Sequence, residues 1–165
     1  MTTLVQAAAG WVQPWADLYA DSVTVKALVV FLHMGGLLAA GGFALAADRA
    51  TLRLGRLTEG ERLHFVRELG ETHRPVLMGL AIVIVTGVAM LLADLETLLP
   101  SPVFWVKMGM FALLMLNGLT LRSAERRLNG GAHTQRGWRS LHRAALRSAG
   151  LWFTVLFLGT LLASS

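Results

Sequence analysis

A long apolar stretch from Val23 to Arg49 limits what this chain can fold into more than any other part of its sequence. Residues 23–47 include about 20 apolar residues, which at about 1.5 Å per helical residue cross a hydrocarbon core of about 30 Å. A soluble domain of 165 residues rarely carries 55% hydrophobic residues and a mean hydropathy of +0.57, because too little of that surface can be buried. The sequence therefore predicts an integral membrane protein.

Three further apolar stretches follow the first, and we predict an all-α fold in which four helices form a transmembrane bundle. The predicted spans are 23–47, 75–93, 103–121 and 145–163. They make one domain, 23–163, preceded by an N-terminal segment, 1–22. In that segment Trp11, Trp15 and Tyr19 recur every four residues, so their rings share one helix face. Such rings are favoured at lipid headgroups, which predicts a short interfacial helix; the alternative is a flexible tail.

The 15 basic and 10 acidic residues are distributed unevenly along the chain. Arginines concentrate in the first and third connections between spans, whereas the N-terminal segment and the second connection are acidic. Under the positive-inside rule this pattern predicts a multi-pass protein of the bacterial inner membrane with both termini on the outer side. The expected partner is the lipid bilayer, and nucleic acid is a poor partner for so apolar a chain. The absence of cysteine excludes disulfides and thiolate chemistry.

Small residues line the second half of the first span. A glycine exposed to lipid gains nothing, whereas a glycine at a helix contact lets two backbones approach closely. We therefore expect a neighbouring helix, or a flat ligand, against this face. The residues are Gly35, Gly36, Ala39, Ala40, Gly41 and Gly42.

His33 is the one histidine predicted to lie deep in the hydrocarbon, where a polar ring needs a partner. Two interpretations remain open: a neutral ring hydrogen-bonded to a neighbouring backbone group or hydroxyl, or a functional group that ligates haem iron or carries a proton. His73 and His142 are predicted at the cytoplasmic starts of the second and fourth spans. There they would bind one haem from two sides or act as ordinary interfacial residues. His64 and His133 lie in polar connections and are predicted to be solvated.

Lys107 lies about one turn inside the third span. Such a lysine extends its ammonium to the interface or pairs with a carboxylate such as Asp94 or Glu96; alternatively it binds an anionic headgroup, a quinone oxygen or a haem propionate. The 7 methionines are scattered, which favours packing over a copper site. Nucleotide-binding, metalloprotease and serine-hydrolase motifs are absent. No carboxylate pair lies inside the predicted spans, which disfavours a carboxylate-driven proton pump.

Two motifs carry a family resemblance. The first span has a histidine, then small residues, then an arginine (His33, Arg49), and the third span opens with Phe104-Trp105-Val106-Lys107. From His33 to Leu121 the chain resembles the four-helix core of HemJ-type protoporphyrinogen oxidases and, more loosely, CopD-type copper-resistance membrane proteins. The resemblance implies haem b, with His33 as its ligand and Lys107 as a functional residue. The chain has Asn117-Gly118 where HemJ-type proteins tend to have a histidine.

These observations favour a small haem-b-binding membrane redox protein that exchanges electrons with a membrane-soluble partner such as a quinone, or with a protein. His33 is the first candidate for the haem iron ligand, His73 with His142 is the alternative pair, and Lys107 is a further cofactor-binding candidate. Two other functions fit the same sequence. One is a permease-like protein for copper or a small solute, and the other is a non-catalytic subunit of a larger membrane complex.

Overall fold

The computed structural model describes residues 2–54, 58–130 and 135–164, and this part of the chain is helical apart from short connections. The predicted all-α, four-helix fold is confirmed. Six helices are described: α1 Thr2–Asp21, α2 Val23–Arg53, α3 Glu59–Ala93, α4 Leu95–Leu98, α5 Pro102–Asn129 and α6 Gln135–Ala163. Four segments are long and apolar enough to cross a membrane: Val23–Arg53, Glu68–Ala93, Pro102–Asn129 and Gln135–Ala163.

The four long helices form an antiparallel bundle. Helix α2 packs against α3 and α6, and α5 packs against the same two helices, so α3 and α6 lie diagonally opposite each other. We call the end where α2 and α5 finish the arginine-rich end. The opposite end, where α1 and α4 lie with Asp21, Asp94 and Glu96, is the acidic end. There Ser101 accepts a hydrogen bond from the Phe104 N–H and so caps α5.

All four helices continue past the predicted spans at the arginine-rich end. Helix α3 begins at Glu59, ahead of the predicted span 75–93, and it runs through Pro75 without a break. The predicted polar connections are therefore mostly helix. The extensions pack around an apolar core of Leu54, Ala124, Leu128 and Leu141. A separate core lies nearer the middle of the bundle, formed by Ala40, Leu80, Leu114, Trp152 and Val155.

Helices α2 and α3 touch through small residues, as the glycine pattern predicts. A Cβ placed on Gly79 would lie 2.9 Å from the Ala40 nitrogen and 2.9 Å from the Gly36 carbonyl oxygen. A Cβ on Gly41 would lie 3.3 Å from the Trp152 ring. A helix backbone and an indole therefore occupy the buried part of the small-residue face, and no flat ligand is needed to fill it.

The outward faces of the bundle are apolar. Exposing large aliphatic and aromatic side chains to water is unfavourable, whereas exposing them to lipid costs nothing of that kind. These faces fit direct contact with a lipid bilayer. Exposed examples on four helices are Phe31, Leu38, Val85, Leu119 and Phe157.

Helix α1 is attached to the acidic end of the bundle by aromatic side chains. The Trp15 indole N–H donates to the Ala89 carbonyl of α3 at 2.8 Å. Trp15 also contacts Tyr19 with ring centroids 6.0 Å apart, and the Lys26 ammonium lies 5.8 Å from the Tyr19 centroid. Trp11, predicted to share their face, is 89% exposed. The placement of α1 at the headgroups stays a prediction.

Candidate functional site

His33 contacts a hydroxyl of the neighbouring helix. Its Nδ1 lies 2.9 Å from Thr86 Oγ1 of α3. Thr86 itself donates to the Ile82 carbonyl one turn back, at 2.6 Å, as predicted for a threonine inside a span. Gly87 follows Thr86, and a Cβ placed there would lie 3.4 Å from the His33 Cε1 atom. Thr86 and Gly87 of α3 thus lie against one edge of the imidazole ring.

The hydrogen bonds of Thr86 determine the protonation of the imidazole. A hydroxyl has one proton to donate, and that of Thr86 is directed to the Ile82 carbonyl. The Thr86 oxygen must then accept from His33, so Nδ1 carries the ring proton. The Val83 carbonyl, one turn before Thr86, is a further hydrogen-bond acceptor for the ring, and no side chain of the described residues hydrogen-bonds to Nε2. The predicted hydrogen-bonded histidine is present, and one nitrogen remains available as a ligand or base.

Lys107 of α5 points towards the same part of the bundle. Its Nζ would lie 3.6 Å from a Cβ placed on Gly159 of α6, so the glycine leaves room for the ammonium. The charge of Lys107 acts electrostatically on the His33 ring, which places the two groups near each other. Within the described ranges Lys107 forms no ion pair, and the predicted pairing with Asp94 or Glu96 is not seen.

His33 of α2, Thr86 of α3 and Lys107 of α5 define what we call the His33–Lys107 site. The fourth long helix, α6, contributes Gly159 beside Lys107. The site offers a lone pair on Nε2 and N–H donors on a free ammonium. It therefore suits a Lewis acid at the imidazole together with an oxygen or an anion at the lysine. A bare metal cation is a poor ligand here because the ammonium would repel it.

The alternative pair, His73 and His142, is not brought into one site. His73 Nε2 lies 2.5 Å from Glu125 Oε2 of α5, which uses the nitrogen that a haem would need. His142 is exposed and lines a shallow cleft beside Trp138. Among the remaining histidines, His64 is exposed and pairs with Glu68, as expected for a solvated residue. His133 lies outside the described residues.

Two carboxylic acids are buried at the arginine-rich end, just beyond the predicted spans. Asp48 of α2 is 2% exposed and Glu125 of α5 is 4% exposed. Asp48 is hydrogen-bonded to the Ser148 side chain of α6, while its Oδ2 has no partner. Neither acid lies inside the predicted spans, and both are enclosed because the helices extend beyond those spans. Asn117, which donates to the Ala144 carbonyl at 2.9 Å, joins α5 to α6 nearby.

The helical register contains a signal for both acids. Asp48 follows Gly36 and Ala40 in steps of four residues, so it continues the buried face of α2. Glu125 lies between Leu121 and Leu128 on the inward face of α5. Because arginines are abundant around both positions, we predicted solvated connections there instead of buried helix faces.

No group of three or more histidine, cysteine or carboxylate side chains in the described part of the chain is placed to hold a metal ion by itself. A metal at the His33–Lys107 site would need ligands from a cofactor as well as from the protein. Comparisons with protein-family models, with curated proteins and with solved structures find no match for this chain.

Proposed function

We propose that this chain is a small haem-b-binding membrane redox protein in which His33 would hold the haem iron. The observation that carries the proposal is the state of the His33 ring. Its Nδ1–H is held by Thr86, the Val83 carbonyl also accepts a hydrogen bond from the ring, and no side chain of the described residues hydrogen-bonds to its Nε2. Histidine ligands commonly donate their second N–H to an acceptor that fixes the tautomer and orients the ring. Thr86 is such an acceptor, and its own proton is committed to the Ile82 carbonyl.

Lys107 complements the histidine. Haem carries two propionates, and an ammonium inside an apolar bundle without a carboxylate partner is suited to bind one of them. Because Gly87 and Gly159 have no side chains, the imidazole lies close to the backbone of α3 and the ammonium lies close to the backbone of α6. When bound, haem supplies one-electron redox chemistry. The protein residues hold the iron through His33, anchor a propionate through Lys107 and exclude water with the surrounding apolar side chains.

We further propose that the protein lies in the bacterial inner membrane with its arginine-rich end in the cytoplasm and both termini outside. The electron partner would then be a membrane-soluble molecule of the quinone class or a protein in the same membrane. Cysteine accessibility tests the orientation in a chain without native cysteine. A cysteine at exposed Asp94 should react with an impermeant maleimide from the outer side, and one at exposed Arg139 should not.

The absorption spectrum tests the haem proposal directly. The full chain, expressed with added haem precursor and purified in detergent, should show a Soret band that shifts on reduction. His33→Ala should lose the band, while His142→Ala, a substitution of the same kind at an exposed histidine, should keep it. Thr86→Val should weaken or shift the band because the ring loses its orienting partner. A chain without a Soret band, or a band unaffected by His33→Ala, would show that the proposal is wrong.

A permease-like function is the second candidate, because His33 and Lys107 both lie between the four long helices. Since the ammonium opposes a copper cation, the solute would be an anion. Uptake of an anion by proteoliposomes that hold haem-free protein, lost in Lys107→Met and kept in Lys26→Met, would favour this function. Lys26 is the matched control because it is exposed at the acidic end. A subunit role would instead appear as a partner that co-purifies in fixed ratio with a colourless chain.

A further inference from the structure

The Asp48 carboxyl is the most unusual polar group outside the His33–Lys107 site. It is 2% exposed, and Ser148 is its one hydrogen-bond partner among the described residues. The second oxygen, Oδ2, is buried without any partner. An ionised carboxylate in such a position needs a counter-charge or several N–H donors. No lysine or arginine of the described ranges forms an ion pair with it.

The neighbouring titratable groups do not neutralise a charge on Asp48. Glu125, on α5, is the nearest acid to act on it electrostatically, and two ionised carboxylates repel each other. Glu125 is itself paired with His73 of α3. On α6 the facing group is the Ser148 hydroxyl, which carries no charge.

Asp48 also has a route to the surface. A cleft of ≈ 520 Å³ lies between α2 and α6, and Asp48 is part of its wall. Arg49 and Arg53 line the cleft on the α2 side, and Ala149 and Phe153 line it on the α6 side. The cleft lies at the arginine-rich end of the bundle. Water there can exchange protons with a carboxyl that is otherwise enclosed by protein.

We infer that Asp48 is a proton-binding site whose carboxyl is protonated in the folded protein at neutral pH and exchanges its proton through this cleft. In the uptake step an O–H bond forms on the Asp48 carboxylate while an O–H bond of a hydronium ion breaks, and release is the reverse. A neutral carboxyl needs no counter-ion, so the bare Oδ2 is far less unfavourable than in the ionised form. The inference does not depend on haem binding, and it holds for a protein of any of the candidate functions.

Infrared spectroscopy of the full chain in detergent provides the test, because a protonated carboxyl has a C=O stretch separate from that of a carboxylate. At neutral pH the wild-type protein should show this band, with a small shift in D₂O. Asp48→Asn should remove it. Asp94→Asn, the same change at an exposed acid of the acidic end, should leave it unchanged. Raising the pH should abolish the band in the wild-type protein.

Ser148→Ala keeps the site testable if Asp48→Asn fails to fold. Loss of the serine hydroxyl should move the band to a different frequency without removing it, because Asp48 keeps its proton but loses a hydrogen bond. Glu125→Gln should retain the band. The inference is overturned if wild-type protein lacks a protonated carboxyl at neutral pH, if the band survives Asp48→Asn, or if Ser148→Ala leaves its frequency unchanged.

Discussion

Replacing Gly79 by alanine should separate α2 from α3 and destabilise the bundle. The new Cβ would lie 2.9 Å from the Ala40 nitrogen and from the Gly36 oxygen, about half an ångström short of ordinary van der Waals contact. Both atoms belong to helix backbone, which cannot rotate away as a side-chain end can. Forcing an extra carbon into a packed contact costs about 1–3 kcal/mol. Alanine is the better helix former by about 1 kcal/mol, which offsets part of that loss. We expect a net destabilisation of up to about 2 kcal/mol.

Gly35→Ala is the matched control. Gly35 precedes Gly36 on α2 and has no atom within 4 Å of a built Cβ, so its substitution should be neutral or slightly stabilising. Unfolding of the purified chain by added SDS, followed by circular dichroism and tryptophan fluorescence, gives the two free energies of unfolding. Gly36→Ala should also destabilise, because its Cβ would lie 3.0 Å from the Gly79 oxygen. Equal stabilities for Gly79→Ala and Gly35→Ala would refute the close α2–α3 contact.

Three further variants test single contacts. Trp15→Phe removes the indole donor that joins α1 to α3 and should speed proteolysis within α1, whereas Trp11→Phe, at an exposed position, should not. Asn117→Ala leaves a buried carbonyl of α6 without its side-chain donor and should lower the free energy of unfolding by about 1–3 kcal/mol in the SDS assay. The Thr58 hydroxyl and backbone N–H both donate to the Glu61 carboxylate, which lowers the pKa of Glu61. Because the pKa of Glu61 is lower in the folded chain than its ordinary value of about 4.3, ionised Glu61 stabilises the start of α3 at pH values above this ordinary value. The stabilisation is lost as the pH falls through the lowered pKa. Amide exchange in the first turn of α3 should therefore differ between wild type and Glu61→Ala at pH 7 and converge below about pH 4.

The fold could be predicted from hydropathy because each span needs only a long apolar run, and the four runs are separated by charged residues. The contact at Gly36 was also predictable, since small residues four apart on a span have few other uses. The helix ends at the arginine-rich end were not. Arginine is compatible both with solvent and with a helix surface, so the run of arginines did not reveal that Leu54, Leu128 and Leu141 form a core beneath them.

The candidate site was predictable in part for a similar reason. His33 stands out because a lone imidazole in an apolar run must have a partner, and Lys107 stands out for the same reason one helix later. Sequence spacing cannot show that Thr86 and Gly159 converge on them, because that depends on which helices are neighbours. Asp48 and Glu125 were missed because each lies next to arginines, and adjacent charge suggested solvent although the helical register points both acids inward.

The two buried polar regions of this bundle should act independently of each other. Fifteen helical residues separate His33 from Asp48, or about 22 Å along α2 at about 1.5 Å per residue. Between them lies the core formed by Ala40, Leu80 and Trp152. The Trp152 indole N–H can donate a hydrogen bond but cannot accept one, so these side chains cannot relay a proton. Substitutions this far apart without shared partners usually add within about 0.5 kcal/mol. The changes in the free energy of unfolding caused by His33→Ala and by Asp48→Asn should therefore add up to the change measured for the double variant. A coupling energy well above 1 kcal/mol would mean that water crosses this core and connects the two regions, and the proton at Asp48 would then communicate with the His33–Lys107 site.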